Sequence, residues 1–139
     1  MKDKNQMGFS LIELLLVCVV VGVIATIAVP LLMKATMAAE DTSTNATLKI
    51  MLQDQTAFHV QNNRYARLDE INAVHDGSLG SITDNKLYRG KFEYELVGDP
   101  TDEELKATFR IKATRIIGDT STPYTMEITP EGYVSQIFP

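Results

Sequence analysis

Gly8-Phe9-Ser10-Leu11-Ile12-Glu13 leads into an apolar run, residues 14–32 (LLLVCVVVGVIATIAVPLL), that carries no charge. A helix needs about 20 mostly apolar residues to cross a bilayer, so this run is long enough to span one. A carboxylate inside such a segment is costly, about 2.5–3.5 kcal/mol at the bilayer centre on insertion scales. Because Glu13 lies directly before this run, a partner that pairs with its carboxylate is expected.

The Gly8-Phe9 junction indicates what that partner is. Cleavage after Gly8 would make Phe9 the first residue and would place an α-ammonium one helical turn from Glu13. The residues removed would be a short charged leader that contains Lys2, Asp3 and Lys4. This pattern resembles the class III signal of type IV pilins and of the pseudopilins of type II secretion, closely over residues 8–30.

The resemblance implies a role for each matching residue. Gly8 would precede the cut made by a prepilin peptidase, and Phe9 would become the N-methylated amino terminus. Glu13 would neutralise the terminal amine of a neighbouring subunit. Residues 22–30 would lose helical structure on assembly, which gives Gly22 and Pro30 a role there. Pro30 also removes a backbone hydrogen bond and is expected to kink the helix.

Two simpler interpretations of residues 8–32 stay open at this point. A secretory signal peptide also has a basic leader and an apolar stretch, but its stretch is usually about 7–15 residues long and has no acid. A plain membrane anchor would explain the length of the run. Glu13 would then only face the helix dipole, which contributes about 0.3–1 kcal/mol.

Composition limits the other classes of function. The 139-residue chain has a net charge of −5, which argues against nonspecific nucleic-acid binding, and no specific nucleic acid is predicted. Arg110, Lys112 and Arg115 recur in one predicted strand and are expected to form a solvated face. Cys18 is the only cysteine, so the fold cannot depend on an intramolecular disulfide.

A long helix is predicted from Phe9 to about Asn62, and it divides into a hydrophobic membrane or filament-core segment (9–33) and an outer half (34–62). In the outer half, Leu48, Met51, Leu52 and Phe58 form one apolar stripe that is expected to pack on a sheet. The helix is followed by Asn63, in place of the glycine common in pilins, and a left-handed conformation is expected there.

After the helix, a loop region (63–90) is predicted, with a short helix at 68–74 whose inward residues are Leu68, Ile71 and Val74. Gly77, Gly80 and Asp84-Asn85 then indicate an irregular connection. The sheet region (91–139) shows alternating strands at 91–97, 107–117, 124–128 and 133–137, with a type I turn at 129–132. With the leader at 1–8, the prediction is an α+β pilin fold: one long N-terminal helix on a four-stranded antiparallel sheet.

No catalytic or metal-binding constellation is recognisable, so no enzyme, cofactor or metal is predicted. His59 and His75 lack ligand-spaced partners, which makes a zinc site improbable. The acidic turn from Asp99 to Glu104 lacks the spacing of a calcium loop and is expected to be a solvated hairpin tip.

The predicted function is that of a structural subunit of a type IV pilus-like filament. The precursor is expected in the inner membrane with its leader inside, as Lys2 and Lys4 suggest. Its predicted partners are the prepilin peptidase, an inner-membrane assembly platform and copies of itself in a helical filament, as an extracellular pilus or a periplasmic pseudopilus. A type II secretion or competence pseudopilin, and a membrane-tethered binding domain that never polymerises, are the alternatives.

Overall fold

A computed structural model describes residues 9–116 and 124–137. The leader, with Gly8, and the end of the predicted strand 107–117 lie outside the described residues. The helices are α1 (Leu11–Asn62) and α2 (Leu68–Val74); the strands are β1 (Ser81–Thr83), β2 (Lys86–Arg89), β3 (Phe92–Leu96), β4 (Ile111–Arg115), β5 (Thr125–Ile128) and β6 (Val134–Ile137). The predicted α+β fold, a long N-terminal helix with an antiparallel sheet, is confirmed. By its contacts the chain divides into two compact units, Met1–Ala39 and Glu40–Pro139, hereafter the N-terminal and globular units.

The sheet is an antiparallel meander in the order β1-β2-β3-β4-β5-β6. Strands β3 to β6 correspond to the four predicted strands. The prediction of an irregular connection before them was wrong, because β1 and β2 form there and bring the sheet to six strands. Asp84 and Asn85 join these two strands with φ angles of 50° and 60°. Positive φ at both central residues is the geometry of a two-residue hairpin turn, which Asp and Asn adopt more readily than most residues.

The apolar stripe of α1 packs as predicted inside the globular unit. Leu48 and Met51 are fully buried, and Leu52 and Phe58 are partly buried at the edge of the core. Burying a side chain of this size contributes about 1.5–3 kcal/mol. Their buried partners come from α2, the sheet and the connections: Ala66, Leu68, Ile71, Leu79, Leu87, Phe92, Tyr94, Leu105, Phe109, Ile111, Ala113, Met126 and Ile128.

Helix α2 has the predicted bounds, but the inward direction predicted for one of its residues was wrong. Leu68 and Ile71 are buried, whereas Val74 is 63% exposed. Asn72 occupies the inner face of the last turn instead, and its Nδ2 donates to the Gly80 carbonyl at 3.1 Å. A hydrogen bond to the following loop therefore sets the rotation of this short helix.

The end of α1 is fixed by a left-handed residue and a buried amide. Asn63 has φ 55°, as predicted. Gln55 is fully buried and pairs twice with Ala66, since its Nε2 donates to the carbonyl at 2.8 Å and its Oε1 accepts from the N–H at 2.6 Å. The chain is thereby held against α1 as it turns towards α2.

Candidate functional site

Helix α1 begins at Leu11, within the stretch that the sequence motif identifies. The Ser10 carbonyl accepts from the Glu13 N–H at 3.0 Å and from the Leu14 N–H at 3.1 Å, which closes the first turn. Glu13 lies in that turn, where a carboxylate interacts favourably with the helix dipole. Phe9, two residues before the helix, is 86% exposed. Phe9 and Glu13 therefore lie at one helix end, unobstructed by the described residues of the N-terminal unit.

The N-terminal unit exposes apolar side chains on every side of α1. Residues 9–39 are all exposed, and the large apolar side chains among them have between 50% and 86% of their surface accessible. The helix is long and apolar enough to cross a membrane, and no part of its most apolar window is buried. An apolar surface of this extent indicates a membrane or a protein partner.

Two threonine hydroxyls of this unit are bonded within the helix itself. Thr26 Oγ1 donates to the Val23 carbonyl at 2.7 Å, and Thr36 Oγ1 donates to the Leu32 carbonyl at 2.8 Å. Hydroxyls satisfied in this way do not require water and can lie in an apolar environment.

Pro30 lies inside α1, and a Cβ added at Gly22 would meet no atom of the described residues within 4 Å. Packing among the described residues therefore gives no reason for a glycine at position 22.

A second candidate site, in the globular unit, was missed by the sequence analysis. Arg115 was expected on a solvated face, but its side chain is only 8% exposed. Its guanidinium binds the carboxylates of Glu40 and Asp41 on α1. Lys91 Nζ also binds Glu40, at 2.8 Å. These four residues are called the Arg115 cluster below.

Aromatic rings hold the guanidinium of Arg115 in place. Its Cζ lies 4.8 Å from the ring centroid of Phe92 and 5.8 Å from that of Tyr124, distances at which a cation is attracted to an aromatic face. The hydrogen bond from Lys91 holds the pKa of the Glu40 carboxyl below its usual range, with help from Arg115. Strand alternation could have placed Arg115 inward, because it shares parity with the buried Ile111 and Ala113.

The outer face of the sheet carries ion pairs between strands. Glu95 faces Lys112 across β3 and β4, and their charged atoms are 2.5 Å apart. This pair lowers the pKa of the Glu95 carboxyl. Glu93 pairs with Lys86 at 3.3 Å, and Arg110 pairs with Glu127 at 3.7 Å.

The acidic turn at 99–104 is largely exposed, as predicted, and it is also bound by Arg67 at the N-cap of α2. Arg67 lies 2.9 Å from Asp102 and 3.9 Å from Asp99. Glu104 begins a 3₁₀ turn, Glu104–Lys106, whose Leu105 is fully buried.

His75 Nε2 contacts Asp54 at 2.8 Å. Within residues 9–116 and 124–137, no three His, Cys, Asp or Glu side chains group in a way that could hold a metal ion.

Among the comparisons with known proteins, the family profile points to the N-terminal segment. A family profile described as the prokaryotic N-terminal methylation motif matches residues 3–29. The chain is also similar to the type IV wide pilus major component PilA4 of Thermus thermophilus, with 36% identity over 62 residues. That alignment covers 45% of this chain and 47% of the relative, so the chain matches about half the length of that protein. No solved structure matches the chain.

Proposed function

We propose that the chain, which carries the N-terminal methylation motif and is similar to a type IV pilus component, is a structural subunit of a type IV pilus-like filament. The observation that carries the proposal is the helix of the N-terminal unit, whose apolar surface is exposed on all sides and which bears Glu13 in its first turn. The similarity to a major pilus component favours a pilus over a secretion pseudopilus.

In the proposed assembly, the precursor is held in the inner membrane by its apolar helix until the peptidase cuts after Gly8. The subunit then leaves the membrane, and residues 9–33 pack with the same segment of other subunits. Since this packing replaces lipid by protein, the apolar surface never enters water. The globular units form the surface of the filament, and the chain acts structurally rather than as an enzyme.

Glu13 gives this assembly its register. In a filament core a single carboxylate is heavily penalised unless a cation lies beside it, and the methylated amine of Phe9 on an adjacent subunit is the cation proposed here. Breaking such a buried pair by removing one partner costs about 3–5 kcal/mol. Registers that leave Glu13 unpaired are disfavoured by a similar amount.

Substitution of Glu13 tests this role. The Glu13→Ala variant is expected to be cleaved and methylated normally but to give at least tenfold fewer filaments in electron micrographs of sheared material. Glu103→Ala, which removes a largely exposed carboxylate from the globular unit, is the matched control and is expected to assemble normally. A normal filament yield from Glu13→Ala would contradict the role of Glu13. An uncut leader in the wild-type protein would instead favour a tethered domain that does not polymerise.

A further inference from the structure

The Arg115 cluster binds α1 at the first turn that the globular unit covers. Residues 9–39 are exposed, and Glu40 and Asp41 are the first described residues of α1 that are partly buried. The guanidinium reaches them from the end of β4, across 75 and 74 residues of chain. Its contacts therefore join the start of the helical part of this unit to the sheet.

Apolar packing contributes little over the next two turns of α1. Thr44 and Thr47 are the buried residues between Glu40 and Leu48, and both hydrogen-bond the hydroxyl of the buried Tyr94. The first large apolar side chain of α1 in the core is Leu48. Among the contacts of the described residues, the Arg115 cluster and the threonine hydroxyls hold residues 40–47 on the sheet.

We propose that Arg115 is the anchor through which load arriving along α1 passes into the sheet. The proposal rests on the proposed function, because a filament joined through residues 9–33 transmits any pull on it into the globular unit along α1. An ion pair at the first covered turn resists peeling of the helix where the opening would begin. Lysine is not equivalent to Arg115, because its ammonium lacks the planar fork with which the guanidinium binds both carboxylates while it stacks on Phe92.

Hydrogen exchange on the full-length chain in detergent micelles tests the anchor without any filament. In Arg115→Met we expect the amides of residues 41–47 to exchange at least tenfold faster, while those of residues 51–58 are unchanged. Lys112→Met removes the same charge from the opposite face of β4 and is expected to leave residues 41–47 protected. Unchanged exchange in Arg115→Met, or equal acceleration in Lys112→Met, would overturn the proposal.

A second variant tests the anchor in case Arg115→Met does not fold. Glu40→Gln with Asp41→Asn keeps the shape of both side chains but removes their charge and replaces one acceptor oxygen of each by an amide donor. It is expected to accelerate exchange at residues 41–47 while the sheet stays protected. Loss of protection throughout the sheet would assign these residues to general folding and would overturn the anchor role.

The length of filaments under shear tests whether the Arg115 cluster bears load. Under a fixed shear, filaments of the Glu40→Gln, Asp41→Asn variant are expected to be several-fold shorter than wild-type filaments, while those of Lys112→Met keep their length. Equal lengths in all three would overturn the load-bearing role. If the wild-type chain forms no filaments but the exchange result holds, the proposed function fails while the anchoring of α1 by Arg115 stands.

Discussion

Gln55 is the last buried residue of α1, and it is as deeply buried as the apolar residues Leu48 and Met51 before it. The spacing of apolar residues cannot identify such a residue. Its polar amide can be buried there only because it makes two hydrogen bonds to Ala66. Those bonds replace water for one N–H and one C=O of the chain that leaves the helix. Removing the amide would leave both groups buried and unpaired.

The first prediction follows from this pairing. Gln55→Leu is expected to lower the free energy of unfolding by about 2 kcal/mol or more, since each unsatisfied buried polar group costs about 1–3 kcal/mol. The free energy of unfolding would be measured by denaturant titration of the full chain in micelles. Gln53→Leu, at an exposed position of the same helix, is the control and should change it little. Equal effects of the two substitutions would contradict the pairing argument.

Arg115 and Val74 show what the sequence could and could not predict at single residues. The inward direction of Arg115 follows from the alternation of β4, but its carboxylate partners lie more than seventy residues away and no local pattern identifies them. The exposure of Val74 depends on the bond from Asn72 to Gly80, which is also invisible to periodicity. Cleavage after Gly8, methylation of Phe9 and pairing of Glu13 stay predictions from the motif.

Among the elements, those with a strong period were predicted and the short hairpin was not. The helices α1 and α2 and the four strands β3 to β6 follow from helical or alternating apolar residues, although β4 begins at Ile111 and not at the predicted residue 107. Strand β1 has only three residues, and in β2 the apolar residues Leu87 and Tyr88 are adjacent, so neither strand shows alternation. Their clearest marker is the turn at Asp84-Asn85, together with Gly80, where an added Cβ would lie 2.4 Å from the Tyr88 carbonyl oxygen.

The second prediction concerns this hairpin. Asn85→Ala should lower the free energy of unfolding by about 1 kcal/mol, because alanine tolerates the left-handed conformation less well. Asn85→Gly should leave it unchanged or raise it, since glycine favours that conformation. Denaturant titration of both variants would measure the difference. A larger loss with glycine than with alanine would contradict the assigned turn geometry.

At the scale of the whole molecule, the globular unit is stabilised by carboxylates whose pKa values lie below their usual range. The pKa of Glu70 is lowered chiefly by its pairing with Arg64, and that of Glu95 by Lys112. A group whose pKa is lower in the folded state stabilises the fold above its unfolded pKa, about 4.3 for glutamate. That contribution is lost as the pH falls through the folded-state value.

The third prediction is therefore loss of stability in acid. The free energy of unfolding should be nearly constant between about pH 7 and 5 and should fall as the pH drops below about 4.5. The variant Glu70→Gln with Glu95→Gln should be less stable at neutral pH and should lose less on acidification. Denaturant titrations across this range would measure both effects. A parallel pH profile for the variant would exclude these two carboxylates as the cause.

The molecule as a whole joins a compact globular unit to a helix with no apolar partner of its own among the residues described. The globular unit supplies the core, and the exposed helix requires a membrane or other subunits. Both environments are used in turn if the chain is a filament subunit. In the proposed assembly, the transition between them depends on cleavage after Gly8, which would free the amine that Glu13 is proposed to bind.

Intact mass and N-terminal sequencing of the chain from sheared surface filaments test this account most directly. The account predicts an abundant species that begins at methylated Phe9 and lacks residues 1–8. Processed protein confined to the inner membrane would favour a minor subunit or a pseudopilin over a major pilin. A chain that still carries Met1 to Gly8 would contradict the account, because no amine would then be available to Glu13.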